Sequence, residues 1–80
     1  MAGVSRAQRR LLWEMADGYE IWDTTEGAFL VSEEGKWTGK RIRSQTLEAL
    51  KEQECVDKAW SGKFVTKYRI NDFGMGCARQ

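Results

Sequence analysis

Apolar residues recur at helical spacing near the start of the chain. On a wheel of about 100° per residue, Gln8, Leu11, Leu12, Met15 and Ala16 share one face, while Trp13 lies opposite. Ser5 and Gln8 stand at capping-box spacing, and Gly18 suits the left-handed position that ends a helix. A helix over 6–17 follows. Beyond Gly18 the period shortens. Tyr19–Trp22 and Ala28–Val31 read as strands, and Glu34-Gly35 reads as a tight turn into an arm through Lys36, Trp37 and Thr38. Ser44 is expected to cap a second helix over 45–54 that buries Thr46, Leu47 and Leu50. Residues 55–60 and 64–70 read as a hairpin joined at Ser61-Gly62. The tail over 72–80 contains Gly74-Met75-Gly76, so it is expected to be flexible and to hold no more than a turn of helix.

Length and composition then narrow the function. Eighty residues with 41% apolar content make one small domain over 1–80. A domain of this size buries only about 60% of its unfolded surface, which leaves little room for an enclosed active site. No apolar run reaches the roughly 18 residues of a membrane span. The N-terminus lacks the apolar stretch of a signal peptide, so the expected location is the cytoplasm. The chain has no histidine and two cysteines. It therefore has no histidine base or imidazole ligand, and Cys55 and Cys77 alone make neither a zinc site nor a disulfide framework. The expectation is a binding protein, not an enzyme, with no cofactor and no metal, and with its two thiols reduced.

A net charge of +1 conceals blocks of alternating sign. Residues 1–10 carry +3, 14–34 carry −7, 36–43 carry +4, 44–57 carry −3 and 58–69 carry +4. Such segregation permits a local basic patch without general affinity for nucleic acid.

Helix, strands, helix and hairpin is the element order of a reduced winged helix, so the expected class is α+β and winged-helix-like. Leu47-Glu48-Ala49-Leu50-Lys51, then Val56, then Tyr68-Arg69-Ile70 with Gly74 resembles the usual winged-helix ending; Asn71 stands where threonine is common. Ser5-Arg6, Gln8-Arg9, Leu12, Ala16-Asp17-Gly18 and Ile21, with Thr46-Leu47 and Tyr68-Arg69-Ile70, are also similar to landmarks of the YjhX-like toxin family. The middle strands match that family poorly. Members of that family act on a DNA topoisomerase by protein contact, and the resemblance implies that class of action, not that target.

Two surfaces emerge as candidates. Arg6, Arg9 and Arg10 share the outer face of the first helix with Trp13, and tryptophan and arginine are both enriched at binding hot spots. That face suits an acidic partner; the plainer alternative is a tryptophan covered by the tail beside solvated arginines. The four tryptophans (Trp13, Trp22, Trp37, Trp60) exceed what so small a core encloses. Each alone is expected to be partly buried, and the set to leave at least one exposed. For duplex DNA the candidates are Lys40, Arg41 and Arg43, Gln45 on the second helix, and Lys63 and Lys67 on the hairpin, with Lys58 nearby. Glu48 and Glu52 on the outward face of that helix oppose phosphate.

The reading that joins these points is a small phage or mobile-element-type inhibitor. It would occlude a surface of a host nucleic-acid-processing protein or ribonucleoprotein complex, as anti-CRISPR proteins and topoisomerase inhibitors do. The alternative is a winged-helix DNA-binding transcriptional regulator. Oligomeric state is not legible.

Overall fold

The computed structural model describes residues 4–32 and 34–79. The class is α+β. Helix α1 (Arg6–Ala16) leads into strands β1 (Glu20–Thr24), β2 (Gly27–Val31) and β3 (Trp37–Ile42). Helix α2 (Ser44–Glu52), strands β4 (Val56–Ser61) and β5 (Val65–Ile70), and helix α3 (Asp72–Ala78) follow. The strands form one antiparallel sheet in the order β3-β2-β1-β5-β4. Pairing of β1 with β5 closes the sheet across the chain and sets Ile21 opposite Tyr68.

Local chemistry bounds α1 at both ends. Ser5 accepts from the Gln8 amide while the Gln8 side chain accepts from the Ser5 amide, so the capping box is complete. At the other end the Gly18 amide donates to Met15 and the Tyr19 amide to Glu14, with Gly18 at φ +109°. This is the Schellman arrangement that a glycine after the helix permits.

The helices lie against one face of the sheet: α1 on α3 and β5, α2 on β2 and β4, and α3 on β5. Leu11, Leu12 and Met15 of α1 and Leu47 and Leu50 of α2 meet Ile21, Ala28, Leu30, Ile42, Val56 and Tyr68 in a single core. Period-two alternation explains the sheet's share, because alternate residues of each strand face the same side.

Three expectations need correction. Ser44 does not cap α2; it is the first helical residue, the cap position is Arg43, and no side-chain bond is made there. Thr46 is only partly buried, whereas Leu47 and Leu50 are enclosed. The β4–β5 hairpin does not turn at Ser61-Gly62, since Ser61 is still paired with Thr66 and the Gly62 amide donates to Val65. Lys63 and Phe64 form the tip.

The tail expectation is also overturned, since residues 72–78 form a helix longer than one turn. Asn71 caps it by accepting from the Gly74 amide at 2.7 Å. Gly74 brings α3 against Cys55, the residue before β4: a Cβ there would lie 2.2 Å from the Cys55 carbonyl oxygen. The low helix propensity of glycine is thus outweighed by a close approach only glycine allows. Gln80, the last residue of the expected tail, lies outside the described residues.

Candidate functional site

Two surfaces carry the candidate chemistry, and the first is the outer face of α1. Trp13 is 60% exposed, opposite the buried Leu11, Leu12 and Met15. Its indole N–H donates to the carbonyl of Ala78, so α3 fixes the orientation of the ring. The expected covering of Trp13 by the tail is therefore partial: the tail holds one edge, and most of the side chain still faces solvent. Arg6, Arg9, Arg10 and Trp13 together line an open groove of about 370 Å³. All four residues expected at the partner-binding face are thus brought together. The Nε–H of Arg9 is buried there without an acceptor among the described residues. An orphan donor of this kind costs about 1–3 kcal/mol, and turning the side chain toward an acidic group would relieve it.

The residues expected to contact duplex DNA are divided. Lys40 points to the helix side of β3, where its ammonium donates to Glu14 of α1 at 2.8 Å. Arg43 and Gln45 are exposed at the start of α2. Arg41 and Lys67 stand on the opposite, helix-free face of the sheet, in register with Phe29 and Trp22. Lys63 is at the hairpin tip with its ammonium 5.5 Å from the Phe64 ring. No continuous strip of these cations joins α2 to the hairpin.

The helix-free face is the second surface. One cross-strand row contains Arg41 of β3, Phe29 of β2, Trp22 of β1, Lys67 of β5 and Trp60 of β4, each opposite the next. Cations and rings interact along it. The Arg41 guanidinium is 5.8 Å from the Phe29 centroid, and the Lys67 ammonium lies 4.4 Å from Trp22 and 5.2 Å from Trp60. Trp37 adds a fourth ring, 4.6 Å from Phe29. Trp37 and Trp60 are 54% and 52% exposed, so the expectation of at least one exposed tryptophan is met three times over with Trp13.

Trp60 reaches this face through an irregularity. Lys58 is opposite Tyr68, yet Trp60 is opposite Lys67, which leaves Ala59 as an extra residue in β4. Strict alternation from Val56 would aim Trp60 at the helices; the bulge turns it to the other side. Its ring then lies over Gly62, where a Cβ would come within 2.2 Å of it.

A second row holds the carboxylates. Glu20 lies opposite Val31 and forms a salt bridge with Arg69, and it accepts from the Trp22 indole at 3.2 Å. Burial pushes the Glu20 carboxyl upward. The Arg69 and Trp22 hydrogen bonds and the charges of Arg69 and Lys67 outweigh that effect and hold it below its ordinary value. Asp57 is opposite Arg69 and accepts from the Asn71 amide group at 3.0 Å.

These rings were not singled out as a surface by the sequence. The signal available was alternation in β1 and β2, where Trp22 and Phe29 fall between the core residues Ile21, Ala28 and Leu30. Membership of Trp60 could not be read, because it depends on the bulge.

Cys55 and Cys77 lie side by side. Their sulfurs are 4.0 Å apart as free thiols, one beneath α3 and one on it. Burial, with the neighbouring Cys77 thiol adding to it, pushes the Cys55 thiol up to about 11. Among the described residues no cluster of three cysteine, aspartate or glutamate side chains is placed to hold a metal ion, and no helix is long and apolar enough to cross a membrane. Comparison with known proteins finds no matching family model, no matching curated protein and no matching solved structure.

Proposed function

We propose that this chain is a small non-catalytic binding protein, of the kind phages and mobile elements use, that occludes a surface of a host nucleic-acid-processing complex. The observation that carries the reading is the α1 groove. A solvent-facing tryptophan is held in one orientation by the Ala78 carbonyl, with three arginines beside it. An oriented aromatic anchor loses little conformational freedom on binding, and arginines supply charge-assisted bonds to an acidic partner. The resemblance to YjhX-like toxins supports the same class of action, by protein contact.

The test is affinity capture from host lysate with the wild-type protein and the Trp13→Ala/Arg9→Ala variant, read by mass spectrometry. The expected result is a nuclease, topoisomerase or comparable assembly retained by the first and lost with the second, at unchanged circular dichroism. Equal capture by the variant refutes the site.

A winged-helix DNA-binding regulator is the second reading. The β4–β5 hairpin following α2, in the position of a wing, favours it. The division of the candidate cations between two faces of the molecule gives it less support, since a duplex contacts one face at a time.

A further inference from the structure

The helix-free face of the sheet presents four aromatic side chains and two cations that the α1 groove does not use. Three properties narrow the occupant. First, three rings and two cations share one cross-strand row from Arg41 to Trp60. Adjacent strands are about 4.8 Å apart, so the row extends for roughly 20 Å, the reach of a few unstacked nucleotides. Second, among the described residues no carboxylate forms an ion pair with Arg41 or Lys67. Arg41 is held by the neutral Glu26 carbonyl at 3.0 Å, and Lys67 rests between two indoles. Both cations are thus without a direct carboxylate partner among the described residues, Lys67 acting on Glu20 only through its field. The carboxylates of the face, Glu20 and Asp57, sit in the neighbouring row against Arg69, and Glu34 on the rim pairs with Lys36 at 3.8 Å. Third, Trp22, Trp60 and Lys67 line an open groove of about 490 Å³ together with Arg69, Glu20 and Glu34, which brings solvent to the rings.

We infer that this face binds single-stranded DNA, with bases stacking on Trp22, Phe29, Trp37 and Trp60 and phosphates contacting Arg41 and Lys67. Open sheets carrying exposed rings are a recurring platform for unpaired bases, because every base has a π-face and a flat sheet lets several rings be used in series. A duplex offers no such faces, since its bases are already stacked on one another. An acidic peptide matches the cations but leaves the four rings without planar partners. Two groups of the face that could accept from or donate to a 2′-hydroxyl are already engaged, Glu20 with Arg69 and Trp22 and the Thr24 hydroxyl with the Gly27 carbonyl at 2.8 Å, and rU12 in the assay below separates deoxyribose from ribose. The inference is independent of the α1 groove.

The experiment is fluorescence anisotropy of labelled dT12, rU12 and a 12-base-pair duplex, titrated with the full chain at several salt concentrations. The expected order is dT12 tightest, with rU12 no tighter and the duplex weaker by tenfold or more. Two to three phosphate contacts on a single strand give a slope of log affinity against log salt of about −1.5 to −2. Trp60→Ala, at the exposed edge of the sheet, is expected to weaken dT12 binding about tenfold with the fold intact, and Lys67→Gln to flatten the salt slope. Trp13→Ala/Arg9→Ala is expected to leave dT12 binding unchanged, which separates this site from the α1 groove. The inference is overturned if the duplex binds as well as dT12, if rU12 binds tenfold tighter, if poly-glutamate displaces dT12 at equal charge, or if Trp60→Ala binds like wild type.

Discussion

The same substitution at two glycines of α3, two residues apart, is expected to act with opposite sign. In a helix, Gly→Ala ordinarily stabilises by about 0.8–1.0 kcal/mol, because alanine loses less backbone entropy. Gly76 is exposed and its added methyl meets nothing within 4 Å, so Gly76→Ala should realise about that gain. At Gly74 the new Cβ would stand 2.2 Å from the Cys55 carbonyl oxygen and 2.8 Å from the Ile70 Cγ1. The first of these is backbone immediately before β4 and cannot swing aside. Overpacking a fitted site costs about 1–3 kcal/mol, which exceeds the propensity gain over most of that range. Shifting α3 also disturbs the Asn71 cap, the buried Ala78 and the bond from Trp13 to the Ala78 carbonyl. The propensity gain is common to both variants, so they should differ by the overpacking cost, about 1–3 kcal/mol, with wild type between them wherever that cost exceeds the gain. For a domain of this size each kcal/mol moves the melting midpoint by about 4–8 °C. Urea titration with a common m-value, alongside thermal melts, measures the difference. A Gly74→Ala protein as stable as Gly76→Ala would refute the claim that close approach to Cys55 dictates this glycine.

Four further outcomes follow from the geometry. Treatment with diamide should join Cys55 to Cys77, each thiol giving up one proton and one electron to the oxidant; closing a loop between residues 22 apart should raise stability by about 3 kcal/mol, and covalent dimers on a non-reducing gel without a rise in melting midpoint would refute the pairing. Because the folded Cys55 thiol is pushed up to about 11, above its value in the unfolded chain, the folded state keeps a proton the unfolded state loses. Its contribution is complete below pH about 9 and declines toward pH 11, a decline Cys55→Ala should reduce. Glu20→Gln should lower the melting midpoint at neutral pH, and the deficit should shrink as pH falls through the depressed Glu20 value, because the stabilisation depends on the carboxylate; a deficit unchanged at pH 3 would show that packing alone is responsible. Gly62→Ala should displace the Trp60 ring and weaken dT12 binding while changing stability little, with the Trp60 indole proton in NMR as the reporter.

What could be read from the sequence divides by the range of the determining interaction. Helix α1 and both its ends follow from neighbours within five residues, and the β2–β3 turn at Gly35, with φ +83°, is equally local. The α1 groove was legible for the same reason, since one helical wheel places its four residues together. The hairpin tip was displaced from its expected place because pairing between β4 and β5 determines it, and that pairing includes an extra residue. Helix α3 was hidden by its glycines, whose poor propensity is visible in the sequence while the contact that requires Gly74 is not. The aromatic row needed the most distant information. It exists only because β1 pairs with β5, joining two hairpins that the sequence shows separately.

Both irregularities of the sheet, at Ala59 in β4 and between Phe29 and Val31 in the β2–β3 ladder, fall on its outermost strands. An outer strand carries a row of unused amide and carbonyl groups, and a flat one recruits further strands from other copies of the chain. Here neither border is regular enough to serve as a template: β4 is kinked by its extra residue, β3 bends at Gly39 with φ +80°, and Lys58 and Lys40 project from them. The residue that aims Trp60 at the open face thus also guards the sheet against growth. Deleting Ala59 should expose both functions at once, sending Trp60 toward the helices and leaving a straight border on which fibrils can nucleate.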